Sequence, residues 1–105
     1  MATNRLEILQ QMVQQDPNNT FARYGLAMEY ANGKQLDQAI HEFRLLLERD
    51  PNYAAAYFHG GQALADSGDF EAARELYEKG IEVTTRKGDG HTRAEIEAAL
   101  SLLPL

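Results

Sequence analysis

The chain has 105 residues and a net charge of −6, from 16 acidic and 10 basic side chains, with three histidines, three prolines and no cysteine. That length suits one domain with a core of its own. The missing cysteines exclude a disulfide framework, a thiolate metal site and a cysteine nucleophile, and the interspersed negative charge argues against a basic stripe for nucleic acid or anionic membrane.

Many Ala, Leu, Glu and Gln against few Val, Ile and Thr favour helix over sheet. Met1-Ala2-Thr3-Asn4-Arg5 leads into an amphipathic stretch, not a signal-peptide pattern, and no run reaches the roughly 20 apolar residues of a membrane span. A soluble, cytoplasmic chain is the expectation.

Residues 4–15 read as a first helix, with Asn4 as cap, Glu7 completing a capping box, and Leu6, Leu9, Met12 and Val13 on one stripe. Asp16-Pro17 ends it, because a residue before proline is pushed out of the helical region. Asn18 or Asn19 then caps a helix over 20–32. This second helix carries two apolar stripes. Leu26, Ala27 and Tyr30 follow Arg23 on one side, and Phe21, Tyr24, Gly25, Met28 and Asn32 form the other. A helix apolar on two faces is sandwiched, or packs one face and offers the other. Gly33 is the expected C′ residue.

A third helix over 36–49 turns Leu36, Ala39, Ile40, Phe43 and Leu47 inward. A fourth over 53–66 ends at Ser67-Gly68. A fifth follows Asp69 to about Arg86, with Phe70, Ala73, Tyr77 and Ile81 inward and Glu75–Lys79 and Glu82–Arg86 as i,i+4 pairs on its solvated side. After Lys87-Gly88-Asp89-Gly90, Thr92 with Glu95 reads as a capping box opening a last helix over 92–103, with Ile96, Ala99, Leu100 and Leu103 on one face. Short turns between six helices favour antiparallel neighbours.

One coincidence organises these elements. Asp16-Pro17-Asn18 recurs as Asp50-Pro51-Asn52 at a distance of 34 residues, and the same shift lays Leu36, Ala39 and Phe43 on Phe70, Ala73 and Tyr77. Self-similarity at such a period marks a stacked repeat. The chain resembles the tetratricopeptide repeat family, whose 34-residue helix pairs follow W-x2-L-G-x2-Y, A-x3-F and P. Residues 20–53 supply Leu26-Ala27-x2-Tyr30, Ala39-x3-Phe43 and Pro51; residues 54–87 supply Tyr57-x2-Gly60-Gly61-x2-Leu64 and Ala73-x3-Tyr77. The first helix matches only the tail of a unit, with Leu9 in the aromatic slot and Pro17 eight residues on.

The resemblance implies an all-α fold: a right-handed α-α superhelix of antiparallel pairs, about six helices in a single domain. Its parts would be an N-terminal half-repeat (1–17), two repeats (20–53 and 54–87) and a capping helix (91–105). Small residues at Ala27, Ala39, Gly61 and Ala73 let helix axes approach, while Tyr30, Phe43, Tyr57 and Tyr77 fill the space around them. Three positions depart from the pattern. Arg23 stands where the family has a large aromatic, so its stem is expected to tuck against a neighbour. Gly60 replaces a leucine, and Thr85 replaces the closing proline, which fits termination of the array.

His41, His59 and His91 are dispersed, and no H-E-x-x-H, paired His/Cys set or G-x-S-x-G is present. Gly88-Asp89-Gly90 lacks the strand and the Gly-Lys-Ser/Thr of a phosphate loop and reads as a turn. His59 before Gly60-Gly61 could meet a ligand, though close helix packing explains Gly61 more simply. The expectation is therefore a non-catalytic chain with no metal and no cofactor. In the family, the first helix of each pair lines a concave face. That would place Phe21, Tyr24, Gly25, Met28 and Asn32, then Ala55, Phe58, His59, Gln62 and Asp66, in an apolar and aromatic groove suited to a partner segment.

The family's clamp for chaperone C-terminal carboxylates needs lysines, arginine and asparagines along this groove. Here Tyr24, Met28, Asn32, Phe58 and Gln62 stand instead, and only Asn32 fits. A carboxylate there would lack a cation. Two readings follow: an adaptor binding a protein or peptide partner in the groove, or a homo-oligomer or subunit of a larger assembly using the same stripe or the Leu100-Ser101-Leu102-Leu103-Pro104-Leu105 tail. The last helix or a second copy could also cover the stripe.

Overall fold

The computed structural model describes residues 4–104. Met1, Ala2, Thr3 and the tail residue Leu105 lie outside the described residues. The six helices are α1 (Arg5–Gln15), α2 (Thr20–Asn32), α3 (Leu36–Arg49), α4 (Ala54–Asp66), α5 (Phe70–Lys87) and α6 (Gly90–Ser101). Each packs against the next in sequence, and α4 also touches α2 and α6.

The recurring Asp-Pro-Asn has a local cause. The Asp16 carboxylate accepts from the Asn18 N–H at 3.1 Å, and Asp50 accepts from Asn52 at 3.2 Å, so both linkers are the same side-chain-closed turn. Proline forces the preceding residue out of the helix, and the aspartate then reverses the chain. Asn4 caps α1 by accepting from Glu7 N–H at 2.8 Å, and Asn19, rather than Asn18, caps α2 through Ala22 N–H at 3.0 Å.

Three details differ from expectation. The C′ residue of α2 is Lys34, not Gly33: Lys34 has φ 63° while Gly33 has φ −84°. The hydrogen bonds Lys34 N–H to Ala31 O and Gln35 N–H to Tyr30 O place the left-handed residue one position later than read. Asp89, not Thr92, caps α6, accepting from Thr92 N–H at 3.1 Å and starting the helix at Gly90. Arg86 donates to Asn52 Oδ1 at 3.1 Å and Lys87 to the Asn52 carbonyl at 2.8 Å, tying α5 to the second turn instead of forming the Glu82–Arg86 pair. Neither Glu75–Lys79 nor Glu82–Arg86 closes to ion-pair distance among the described residues.

The core has two connected parts. Ala27, Ala39, Phe43, Leu46, Ala56 and Ala63 are buried between α2, α3 and α4. Tyr57, Leu64, Ala73, Tyr77, Val83 and Ile96 are buried between α4, α5 and α6, with Ile40 and Leu47 packed against both parts. Leu46, Val83 and Thr84 are buried though the inward stripes omitted them, whereas Phe70 is 41% exposed. Two glycines carry the close approach of α4 and α5. A Cβ at Gly61 would lie 2.2 Å from the Tyr77 ring, and one at Gly80 would lie 2.6 Å from Tyr57 Cβ. Gly80 was not read as a packing residue, since a lone glycine in a helical stripe gives no direction.

Arg23 resolves as the tucked alternative. It is 5% exposed, its Nη1 donates to Glu42 Oε1 at 2.6 Å, and its Nη2 donates to the Pro17 carbonyl at 3.3 Å, while Nε has no partner.

Candidate functional site

The layers of helices are not equivalent. The α4 backbone comes close to α2 and α6, whereas the α3 and α5 backbones stay apart. Between α3 and α5 opens a hollow of about 440 Å³, lined by Leu47, Pro51, Tyr57 and Leu76 with Arg44, Glu48 and Lys79. Helices that touch on one side and splay on the other bend the stack, so α2, α4 and α6 form the inner face. The α6 and α2 backbones do not come together. The last helix therefore stands beyond α4, with Glu95 as the α6 side chain that acts on Tyr24 of the α2 stripe.

Most of the residues read as groove residues share this face. Tyr24 is half-buried, its ring 5.3 Å from Tyr53, 6.0 Å from His59 and 6.4 Å from Phe43. Phe58 meets His59 edge-on at 4.9 Å. Met28, Asn32, His59, Gln62 and Asp66 line a hollow of about 220 Å³ between α2 and α4. Phe21 is 77% exposed at the start of α2, and Ala55 is half-buried near the start of α4. Gly25 departs from the expectation. A Cβ there would lie 3.0 Å from Leu9 Cδ2 and 3.7 Å from Arg5 Nη2, so it serves the α1–α2 contact and not the inner face. A glycine has no side chain to give its stripe away, which is why spacing alone misassigned it.

Sequence reasoning missed three contributors and gave Tyr53 no direction. Tyr53, expected as the first residue of the fourth helix, stands just before α4, where its ring supports Tyr24. Lys34, also outside a helix, lines the α2–α4 hollow. Glu95 of α6 acts on both Tyr24 and His59, so it faces them across the stack. A second hollow of about 310 Å³ lies between α4 and α6, floored by Tyr77 and walled by Ala65, Phe70, Ala99, Leu102 and Pro104, with Gln62 and Asp66 on its rim. The spacing does not reveal it, because the last helix is expected as an end cap or a cover for the α2 stripe and not as a wall beside α4.

The electrostatics follow from partial burial. Desolvation raises the Tyr24 hydroxyl above its ordinary value, helped by Tyr53 and Glu95. Desolvation lowers His59, with Gln62 and Glu95 pulling the other way. The imidazole is thus held toward its neutral form between two aromatic rings. The histidines stay apart: His41 is exposed on α3, and exposed His91 lies 3.5 Å from Glu95 on α6.

This face belongs to a stack of helix pairs whose 34-residue period was visible in the turns. The tetratricopeptide repeat family matches over residues 6–58, and a second tetratricopeptide repeat match covers residues 54–85. The chain belongs to the tetratricopeptide repeat family, with the all-α architecture of its members. It is similar to the TPR repeat-containing protein PA0015 of Pseudomonas aeruginosa, 28% identical over 98 residues that cover 93% of each chain. Among solved structures it resembles YrrB, described as a TPR protein with an unusual peptide-binding site, with 31% identity and a TM-score of 0.82 over 92% of this chain and 47% of YrrB. It also resembles BPP2914 from Bordetella parapertussis, with 30% identity and a TM-score of 0.83 over 95% and 87% of the two chains. The chain thus spans about half of YrrB. No helix among the described residues is long and apolar enough to cross a membrane.

Proposed function

We propose that this chain is a non-catalytic protein–protein interaction module that holds a partner segment along the inner face of α2, α4 and α6. Family membership and the likeness to YrrB support an interaction module. The observation that carries the finer reading is the half-exposed aromatic patch of Tyr24, Phe58 and His59 beside the α2–α4 hollow that His59 lines. Large side chains on a curved, half-exposed face offer area to a partner at little ordering cost, because their neighbours already fix them.

The alternative is a homo-oligomer or assembly subunit using the same apolar face or the leucine-rich tail, and of these the tail has less surface to use. Leu103 is buried and Leu100 half-buried against the α4–α6 core, leaving Leu102 as the exposed leucine of the described tail.

Affinity capture with the wild-type chain, followed by binding of the purified candidate partner, tests the proposal. Phe21→Glu with Gln62→Lys changes exposed residues only, and Tyr24→Glu with Phe58→Glu changes the patch itself; helicity is checked for both. The expected result is a partner bound by the wild type and lost with both variants. Retention by both variants would overturn the inner face as the working surface, and recovery of the chain's own copies alone, with mass rising with concentration, would replace the adaptor with the homo-oligomer.

A further inference from the structure

The α4–α6 hollow has an apolar floor and one charged residue at its rim. Asp66 borders this hollow and the neighbouring α2–α4 hollow alike. It is the last residue of α4, where the negative end of the helix dipole disfavours a carboxylate. The other five helices end on Gln15, Asn32, Arg49, Lys87 and Ser101, all neutral or cationic. Asp66 is exposed and has no cation within ion-pair distance among the described residues, although Lys34 lines one of the same hollows. Helix stability does not explain this side chain, and no intramolecular partner does. The second carboxylate over the face, Glu95, has only His91 within ion-pair distance among the described residues.

Resting on the inner-face reading, we propose that the bound segment carries an apolar side chain that fills the α4–α6 hollow and a lysine or arginine that pairs with Asp66. The hollow takes the anchor because Phe70, Ala99 and Leu102 already expose apolar surface around it. Asp66 sets the sign of the neighbouring residue, since a carboxylate opposite it would be repelled and a cation attracted. The preference is opposite in sign to that of a carboxylate clamp.

The probes are capped fluorescent peptides that place one leucine at several spacings from a lysine, a glutamate or a serine, with alanine-for-leucine controls. Binding is read by anisotropy. The wild type is expected to favour leucine–lysine over leucine–glutamate probes by roughly threefold to tenfold, with alanine controls weaker still. Asp66→Lys is expected to reverse that order and Asp66→Asn to level it. Both substitutions are at an exposed helix end, and circular dichroism verifies folding. A wild type that ranks the charges alike, an Asp66→Lys variant that keeps the original order, or no binding by any probe would overturn the inference. Charge-indifferent binding that Phe21→Glu with Gln62→Lys still abolishes would overturn the inference alone and leave the inner-face proposal standing. Binding that survives this variant would remove both.

Discussion

The α2–α3 and α4–α5 pairs meet one backbone demand with different chemistry. In each, a side chain on the first helix donates to the carbonyl of the turn proline six residues earlier: Arg23 Nη2 to Pro17, and Tyr57 Oη to Pro51 at 2.7 Å. Thirty-four residues separate donors and acceptors alike. Across from Arg23 stands Glu42, and the position equivalent to Glu42 is Leu76, which lines the same hollow as Tyr57. The first pair buries an ion pair where the second uses a phenol and a leucine. A similar exchange occurs in the core, where Phe43 packs with Ala27 but the Tyr77 ring lies directly on Gly61. The period therefore specifies a donor and a filled volume, not residue identities.

The buried ion pair gives the largest expected effect. Glu42→Ala would leave the Arg23 guanidinium buried without a counter-charge, and its Nε already lacks a partner. The cost should be about 3–5 kcal/mol, read from urea unfolding. Arg23→Tyr with Glu42→Leu rebuilds the first pair in the image of the second. Replacing a buried ion pair by apolar groups of similar volume is commonly neutral or favourable by ~1–4 kcal/mol. A double variant as unstable as Glu42→Ala would show that the two pairs are not interchangeable and would break the comparison.

The helix ends supply a smaller effect. α2 and α4 close with the same pair of hydrogen bonds, Gln35 to Tyr30 and Lys34 to Ala31 in one, Asp69 to Leu64 and Gly68 to Ala65 in the other. The left-handed position is Gly68 at φ 89° in the second and Lys34 at φ 63° in the first. A side chain there costs about 1 kcal/mol relative to glycine. Lys34→Gly should therefore raise stability by about 1 kcal/mol, and Gly68→Lys should lower it by a like amount, both from denaturation midpoints at constant slope. Equal and opposite shifts would confirm that the two ends are the same structure.

Where the sequence was legible, two independent signals agreed. The turns were marked both by Asp-Pro-Asn and by the breaks in apolar period, and all six helices appear within a few residues of the expected bounds. The cap of α6 failed because Asp89 sits among glycines and Thr92 with Glu95 imitates a capping box, whereas the Asp89 carboxylate takes the Thr92 N–H and starts the helix earlier. Much of the inner face was readable because Tyr24, Met28, Phe58 and Gln62 lie at helical spacing. The rest was not. Lys34 lies outside a helix, Tyr53 stands one residue before the helix it was expected to open, Gly25 has no side chain to orient, and the α4–α6 hollow exists only once α6 docks beside α4.

The smallest effect comes from a position where only the second pair carries an ionisable side chain on the inner face. The shift of 34 places Gly25 against α1 and His59 on the inner face, beside Tyr24 of α2 and Phe58 of α4 and under the field of Glu95 from α6. Burial lowers His59 from its ordinary value of 6.5, so between that value and the lower folded one the unfolded chain binds more protons. Stability should then fall as pH drops through 6.5 and flatten once the folded imidazole protonates as well. Thermal melts of the wild type and His59→Gln across this range isolate the contribution, since the two proteins differ at this side chain alone. The wild type should lose more stability on acidification than the variant. Parallel curves, or a steeper fall in the variant, would mean that protonation is not resisted at this position. The cation would then already be satisfied by Glu95 and the flanking rings, and the inner face would carry positive charge at mildly acidic pH.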